Sequence, residues 1–70
     1  MDKKLFWTLA RGRVTANNLA LYRHFFKNET LSSISHDTGI GVTVLHNARR
    51  RLLAYKKRVE DILNDKKING

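Results

Sequence analysis

Apolar side chains recur at intervals of three and four residues along much of the second half of the chain. This spacing places side chains on one side of an α-helix, whereas a β-strand would need alternation of period two. The pattern predicts a long helix that starts near Val42 or Thr43 and reaches about Asn64. Its apolar positions are Leu45, Ala48, Leu52, Tyr55, Val59 and Ile62.

Three shorter helices are predicted upstream from shorter apolar stripes of the same kind. Thr15 and Thr30 are suited to cap the second and third helices, because a threonine hydroxyl can accept hydrogen bonds from the free N–H groups of a first turn. Gly12 and Gly39 are suited to end the first and third, because glycine adopts positive φ without strain. The predicted ranges are Lys3–Arg11, Ala16–Asn28 and Leu31–Thr38.

The predicted fold class is therefore all-α: one small domain over residues 1–70 with about four helices, the last of them long. Seventy residues are enough for one such domain. We expect the core within residues 5–55, a helical extension over 56–65 and a tail over 66–70. The chain has no cysteine, so disulfides cannot support so small a core, and self-association is the expected substitute.

The charge balance is strongly positive: 14 Lys and Arg face 6 Asp and Glu, for a formal net charge of +8. Such a chain attracts polyanions, with nucleic acid first and an acidic membrane surface second. A charged surface that only keeps the protein in solution is the simpler alternative. No apolar run comes near the ~18 residues of a membrane span, and Leu5–Ala10 is too short and interrupted for a secretory signal. We therefore expect a cytoplasmic protein.

Residues 31–48 match the pattern of a helix-turn-helix, in which two short helices meet at a tight turn. Ser35 is small, as a close helix crossing requires, and Gly39 supplies the turn. Ile40 fills the space between the two helices, while Leu45 holds the second helix against the first. In DNA-binding proteins with this motif, the start of the second helix enters the major groove.

The outward-facing side chains of that second helix are the candidates for DNA contact. Asn47 could read an adenine edge, and Thr43 could contact a base or cap the helix. Three consecutive arginines spread over about 200° of a helix, so not all of them can meet one phosphate backbone. For each residue, a solvated position is the simpler alternative. The predicted DNA-binding residues are Thr43, His46, Asn47, Arg49, Arg50, Arg51, Lys56 and Lys57.

Further cations could add contacts to phosphates, which contribute affinity but little sequence information. Lys56 and Lys57, together with Arg58, lie two turns beyond the arginines and could clamp flanking phosphates, or could form only the polar side of the helix. Four cations of the first two helices and of the connection between them could act from the other side: Arg11, Arg13, Arg23 and Lys27.

The order of motifs resembles a known family. The first motif is Phe6-Trp7-x-Leu9-Ala10, and a short basic connection follows it. The next helix is capped at Thr15 and ends with Arg23-x-Phe25-Phe26. The helix-turn-helix comes last and ends with Leu45-His-Asn-Ala48-x-x-Arg51-Leu52. In this order the chain resembles the PapB-type fimbrial/adhesin biosynthesis transcriptional regulator family, over roughly Leu5 to Tyr55. It departs from the family at Arg49, where the family tends to be apolar, and by about one residue in the spacing of the turn.

The resemblance implies a regulator of pilus or adhesin genes in an enteric bacterium or its plasmid, associated with the nucleoid. It implies a homodimer or higher oligomer on AT-rich, repeated sites of double-stranded DNA, which both represses and activates. It places Arg51 at the family's basic position, and His46 and Asn47 at its small polar pair. It also implies an approach to the minor groove, which disagrees with the major-groove expectation above, and both stay open here.

Other functions are weighed by the features they need. A protein-interaction module would use the outer seam of the last helix (Tyr55, Val59 and Ile62), and it requires that this seam not be buried within the monomer. A membrane-surface peptide is disfavoured, because the apolar residues spread over several helices with turns between them. We expect no enzyme, since neither a nucleophile–base pair nor a phosphate-binding glycine loop is present. No cofactor, metal or small-molecule ligand is expected either.

Overall fold

The computed structural model describes the backbone of residues 1–69 and the side chains of residues 1–64. Within these residues the chain forms four α-helices and no strand, and 77% of it is helical. The all-α prediction is confirmed, and the last helix is the longest. The helices are α1 (Lys3–Leu9), α2 (Ala16–Phe26), α3 (Leu31–Thr38) and α4 (Val42–Asn69).

Side-chain caps fix where the first three helices begin. The hydroxyls of Thr15 and Thr30 each accept a hydrogen bond from the N–H three residues further on, at 3.2 Å and 3.1 Å. Both predicted caps are therefore confirmed. Asp2 caps α1 in the same way, because its carboxylate accepts a hydrogen bond from the Leu5 N–H at 2.7 Å.

The end of α1 differs from the prediction. The helix ends at Leu9 rather than near Arg11, because Arg11 itself adopts a left-handed backbone (φ 58°), and Gly12 follows it at φ 67°. The Gly12 N–H donates to the Trp7 carbonyl at 2.8 Å, and the Arg11 N–H donates to the Thr8 carbonyl at 3.0 Å. This pair of bonds is a Schellman motif, in which glycine ordinarily holds the left-handed position. Here arginine holds it.

Two other helix ends also differ from the prediction. α2 stops at Phe26, and Asn28 just beyond it takes a left-handed backbone (φ 58°), which asparagine tolerates better than most residues. α4 continues to Asn69 instead of ending near Asn64, so residues 66–69 are helical and do not form the expected tail. Gly70 and the side chains of residues 65–69 lie outside the described part of the chain.

The core is small and entirely apolar. α2, α3 and α4 pack against one another, and α1 packs against α4. Phe6 of α1 is fully buried, with its ring centre 5.6 Å from that of Phe26 and 5.9 Å from that of Tyr22 on α2. The buried cluster lies within the predicted range of residues 5–55 and consists of Phe6, Leu9, Ala20, Leu21, Leu31, Ile34, Leu45 and Leu52.

The second half of α4 projects beyond this core. Leu52 is the last residue of the buried cluster, yet the helix continues to Asn69. At 1.5 Å per residue, the 28 residues of α4 span about 42 Å. This length accounts for the elongated dimensions of 47 × 20 × 20 Å.

Candidate nucleic-acid interface

A short turn over residues 39–41 joins α3 to α4. Gly39 adopts a left-handed backbone (φ 79°), and its N–H donates to the Ser35 carbonyl at 2.9 Å, which ends α3. The Ser35 hydroxyl donates across the turn to the Ile40 carbonyl. Ile34 of α3 and Leu45 of α4 are both 0% exposed and belong to the same buried cluster. The two helices are therefore held by the turn and by an apolar contact.

One side of α4 carries a strip of polar side chains directed away from the core. Thr43, His46 and Arg50 are exposed, and Asn47 is half-buried. Their spacing of three and four residues sets these side chains next to one another along the helix, and we call them the polar strip. α4 begins at Val42, so Thr43 lies within its first turn and is not its N-cap. Half of the predicted DNA-binding residues thus share one surface.

Arg49 points away from the polar strip and toward α2. Its Nε donates to Nε2 of His24 at 3.1 Å, and its guanidinium carbon lies 5.8 Å from the centre of the Phe25 ring. The neutral histidine tautomer that fits these contacts carries its proton on Nδ1, which donates to the Glu29 carbonyl at 2.8 Å. Arg49 is half-buried in this arrangement. It therefore holds α4 against α2.

Arg51 faces an open cleft of about 440 Å³ between α4 and the connection from α1 to α2. Arg11 and Arg13, both in that connection, line the same cleft, which we call the arginine cleft. All three arginines are exposed. A smaller hollow of about 300 Å³ shares Arg13 and Arg51 and continues toward the start of α2. Among residues 1–64, no acidic side chain lines either space.

The spacing of these arginines in the sequence gives no sign that they meet. Arg11 and Arg13 were expected to contact phosphate from a different side than the last helix, whereas the fold brings them to the cleft that Arg51 lines. The convergence depends on how the α1–α2 connection turns back toward α4, and that turn rests on the unusual backbone of Arg11.

Arg23 forms ion pairs with two carboxylates. Its Nε and Nη2 donate to the two carboxylate oxygens of Glu29 at 2.8 and 2.7 Å, and its Nη1 donates to Asp37 at 2.8 Å. The hydrogen bonds from Arg23 hold the pKa of the Glu29 carboxyl below its ordinary value of 4.5, and the bonds to Glu29 and Asp37 raise the pKa of the Arg23 guanidinium. Arg23 thus ties α2 to α3 and does not offer a free cation to phosphate.

Lys56 and Lys57 lie on the projecting part of α4. Lys56 is half-buried and forms an ion pair with Glu60, one turn further along the helix. Lys57 and Arg58 are exposed. Of the predicted pair of lysines, Lys57 is therefore the one whose side chain is exposed without an ion pair among residues 1–64.

The outer seam is not buried within the monomer. Tyr55 is 42% exposed and Ile62 is 52% exposed, while Val59 is half-buried. The neighbouring Leu63 is 54% exposed. The condition that a protein-interaction module requires of this seam is therefore met.

Within the part of the chain that the structure describes, no group of three His, Cys, Asp or Glu side chains could hold a metal ion. In the same residues, no helix combines the length and apolar character that crossing a membrane would require.

Comparisons with family models, with curated proteins and with solved structures each gave no match. The resemblance to PapB-type regulators is therefore supported by sequence motifs alone. The polar strip, the arginine cleft and the outer seam are the surfaces of the structure that bear on function.

Proposed function

We propose that this chain is a duplex-DNA-binding transcriptional regulator without catalytic activity, in which α3 and α4 act as a helix-turn-helix. The observation that carries the proposal is the polar strip, exposed on the helix that directly follows a tight glycine turn. From Thr38 to Val59 the sequence contains no acidic residue. The first half of α4 thus presents only neutral and positive groups to a polyanion, which supports DNA as the partner.

The chemistry of the polar strip suggests a role for each member. The Asn47 amide offers a donor and an acceptor in the arrangement that matches an adenine edge. Arg50 offers a planar fork of donors, which matches a guanine edge or a phosphate. Thr43 and His46, nearer the start of α4, are suited to phosphate or base contacts. Arg49 is assigned to packing, since its guanidinium is engaged by α2.

We also propose that two copies pair through the outer seam. Tyr55 and Ile62 leave apolar surface uncovered beyond the core, and a small domain gains stability by burying such surface. An antiparallel pairing centred on Val59 sets the basic residues 57–58 of one copy beside the acidic residues 60–61 of the other. A parallel pairing would set like charges together, which is unfavourable.

The same pairing sets the two polar strips on opposite sides of the dimer. The outer seam continues the core-facing stripe of Leu45 and Leu52, whereas the polar strip lies on the other side of α4. In an antiparallel pair that meets at the seam, the two strips therefore face away from each other. This arrangement favours a separate DNA segment for each copy over two neighbouring sites on one face of a duplex.

Sedimentation velocity tests the pairing. Ile62→Asp should convert a wild-type dimer into a monomer, because it places a charge in the apolar contact. Asn64→Asp is the matched control: it adds the same charge at an exposed position two residues further along α4, on the side away from the outer seam, and should leave the dimer intact. Equal behaviour of the two variants would show that the seam is not the interface.

The resemblance to PapB-type regulators supports a narrower version of the proposal. The genes controlled would be fimbrial or adhesin genes, the DNA would be AT-rich, and the protein would act on the nucleoid in a bacterial cytoplasm. These specifics rest on the resemblance, whereas the DNA-binding proposal rests on the polar strip.

Fluorescence anisotropy with AT-rich and GC-rich duplexes of roughly 30 base pairs, about three helical turns, tests the DNA-binding proposal. We expect binding that weakens steeply with salt and favours the AT-rich duplex. Arg50→Ala should lower the salt slope by about one, and Asn47→Ala should reduce the preference between duplexes. Lys4→Ala, an exposed cation on α1, should leave that preference unchanged. No binding by wild-type protein at low salt would refute the proposal.

A third duplex separates the two DNA grooves. Replacing A·T by I·C pairs keeps the minor groove free of the guanine amino group but gives the major groove the pattern of G·C. We propose that the polar strip reads the major groove, so binding to the I·C duplex should fall to the GC-rich level. Binding that stays at the AT-rich level would assign the contact to the minor groove, as the resemblance implies.

The second candidate function is a protein-interaction module that uses the outer seam for a different protein. The exposure of Tyr55 and Ile62 favours it. It predicts that wild-type protein is monomeric and does not bind duplex DNA, whereas the regulator predicts the opposite on both counts. The sedimentation and anisotropy measurements therefore decide between the two.

A further inference from the structure

The connection between α1 and α2 is held firmly in place. The Gly12 N–H donates to the Trp7 carbonyl at 2.8 Å, and the Arg13 N–H donates to the Ala10 carbonyl at 3.1 Å. From the other side, the Asn18 side-chain amide donates to the Arg13 carbonyl at 2.8 Å. The backbone that carries Arg11 and Arg13 is thus fixed by α1 and by α2, although both side chains are exposed.

Arg11 occupies a backbone conformation that disfavours it. Its φ of 58° lies in the left-handed region, which is unfavourable for residues with a Cβ and is usually left to glycine at this position of a Schellman motif. Among residues 1–64, the Arg11 guanidinium has no ion-pair partner that would offset this strain. Since no contact within the described fold offsets this backbone strain, the strain points to a role of Arg11 other than stabilising the fold.

The arginine cleft has the chemistry of a phosphate site. Arg11, Arg13 and Arg51 line one concave surface without an acidic neighbour among the described side chains. Guanidinium groups match phosphate oxygens in pairs of parallel hydrogen bonds, which makes arginine well suited to the sugar–phosphate backbone. In the folded chain without a ligand, three like charges at one cleft repel one another, and a bound phosphate would relieve that repulsion.

The cleft also lies beside the polar strip. Arg51 follows Asn47 of the strip by four residues, so the two side chains are neighbours along the helix. The smaller hollow that continues the cleft is lined by Val44, three residues before Asn47. A duplex whose bases face the polar strip would therefore pass its backbone along this edge of α4.

We propose that the arginine cleft binds the phosphodiester backbone of duplex DNA next to the base pairs contacted by the polar strip, with Arg11, Arg13 and Arg51 as its ligands. This inference rests on the proposed DNA-binding function and adds a second, sequence-independent contact to it. The α1–α2 connection is then part of the DNA-binding surface, and the left-handed Arg11 is retained for the charge that it places there.

The test compares Arg11→Ala/Arg13→Ala with the control Lys3→Ala/Lys4→Ala, which removes two exposed charges at the opposite end of α1. Anisotropy with the AT-rich and GC-rich duplexes across a salt series is the assay. The cleft variant should bind both duplexes about ten-fold or more weakly, with a salt slope lower by about two. The ratio of its affinities for the two duplexes should not change, because phosphate contacts carry no sequence information.

A charge-preserving variant and a folding check complete the experiment. Arg11→Lys/Arg13→Lys should retain most of the affinity, and circular dichroism should show the same helical content in all variants. A cleft variant that binds like the control would overturn the arginine cleft while leaving the regulator proposal intact. A wild-type protein that binds neither duplex would overturn the regulator proposal itself.

Discussion

Replacing Arg11 by glycine should make the protein more stable and a weaker DNA binder at once. Arg11 holds a left-handed backbone (φ 58°) at the end of α1, where glycine is the favoured residue. Its side chain is exposed and, among residues 1–64, forms no ion pair. Glycine would therefore relieve strain without removing a stabilising contact, but it would also remove a charge from the arginine cleft.

The size of the gain follows from two opposing effects on the backbone. A left-handed conformation costs a residue with a Cβ about 1–2 kcal/mol, while glycine costs about 0.5–1 kcal/mol more than other residues in lost conformational freedom on folding. The net gain is about 0.5–1 kcal/mol, or about 2–8 °C in Tm for a domain of this size. Weaker repulsion from Arg13 and Arg51 acts in the same direction.

Thermal unfolding followed by circular dichroism measures this gain, and Arg11→Ala serves as its control. Alanine removes the same charge but keeps the Cβ, so its Tm should stay well below that of Arg11→Gly. Both variants should lose the same DNA affinity in the anisotropy assay. If Arg11→Gly melts no higher than Arg11→Ala, the left-handed backbone of Arg11 does not lower the stability of the protein.

Two further predictions concern the turn before α4 and the ion pairs of α2. Gly39→Ala should lower stability by about 1 kcal/mol through backbone strain alone, because φ is 79° and an added Cβ would touch nothing within 4 Å. Gly41→Ala should be nearly neutral, because its Cβ would meet only Val44 at an ordinary 3.7 Å. Denaturant titration of both variants measures the difference in their free energies of unfolding. The Glu29 carboxyl has a pKa held below 4.5 by Arg23, so its contribution to stability is complete above that value and is lost as the pH falls through the lowered pKa. Denaturation at pH values from neutral to acidic should show a steeper loss for wild type than for Glu29→Gln, and parallel curves would contradict the assignment.

The parts of the fold that local sequence determines could be predicted. Thr15 and Thr30 cap their helices because a hydroxyl reaches the N–H groups of its own first turn. Gly39 ends α3 as expected for a residue that adopts positive φ readily. The end of α1 was missed because the same backbone conformation falls on Arg11, and arginine carries no sequence signal for it.

The candidate site could be predicted only in part, because the sequence shows local helical periodicity but not which distant residues meet in the fold. The polar strip follows from the helical period once Leu45 is known to face the core, since neighbouring positions on a helix are fixed relative to one another. What lies opposite each side chain is set by tertiary packing. That Arg49 meets His24, and that Arg11 and Arg51 line one cleft, depends on contacts between distant parts of the chain. The run of arginines therefore looks uniform in the sequence, although its members serve different purposes.

Two of these arginines offer a direct comparison. Arg49→Ala should lower stability by about 1–2 kcal/mol, because it removes the hydrogen bond to His24 and the contact of the guanidinium with the Phe25 ring. Arg50→Ala should change stability by less than about 0.5 kcal/mol, since that side chain is exposed.

DNA binding should rank the two variants in the opposite order. Once Arg49→Ala is measured at a temperature where it is fully folded, it should keep most of its affinity, because its lost contacts lie between α2 and α4. Arg50→Ala should lose affinity while remaining as stable as wild type, because its charge lies in the polar strip. Chemical denaturation and anisotropy on the same two proteins give both rankings. If Arg49→Ala lost more affinity than Arg50→Ala, the DNA-facing side of α4 would have to be rotated toward α2, and the polar strip would not be the contact surface.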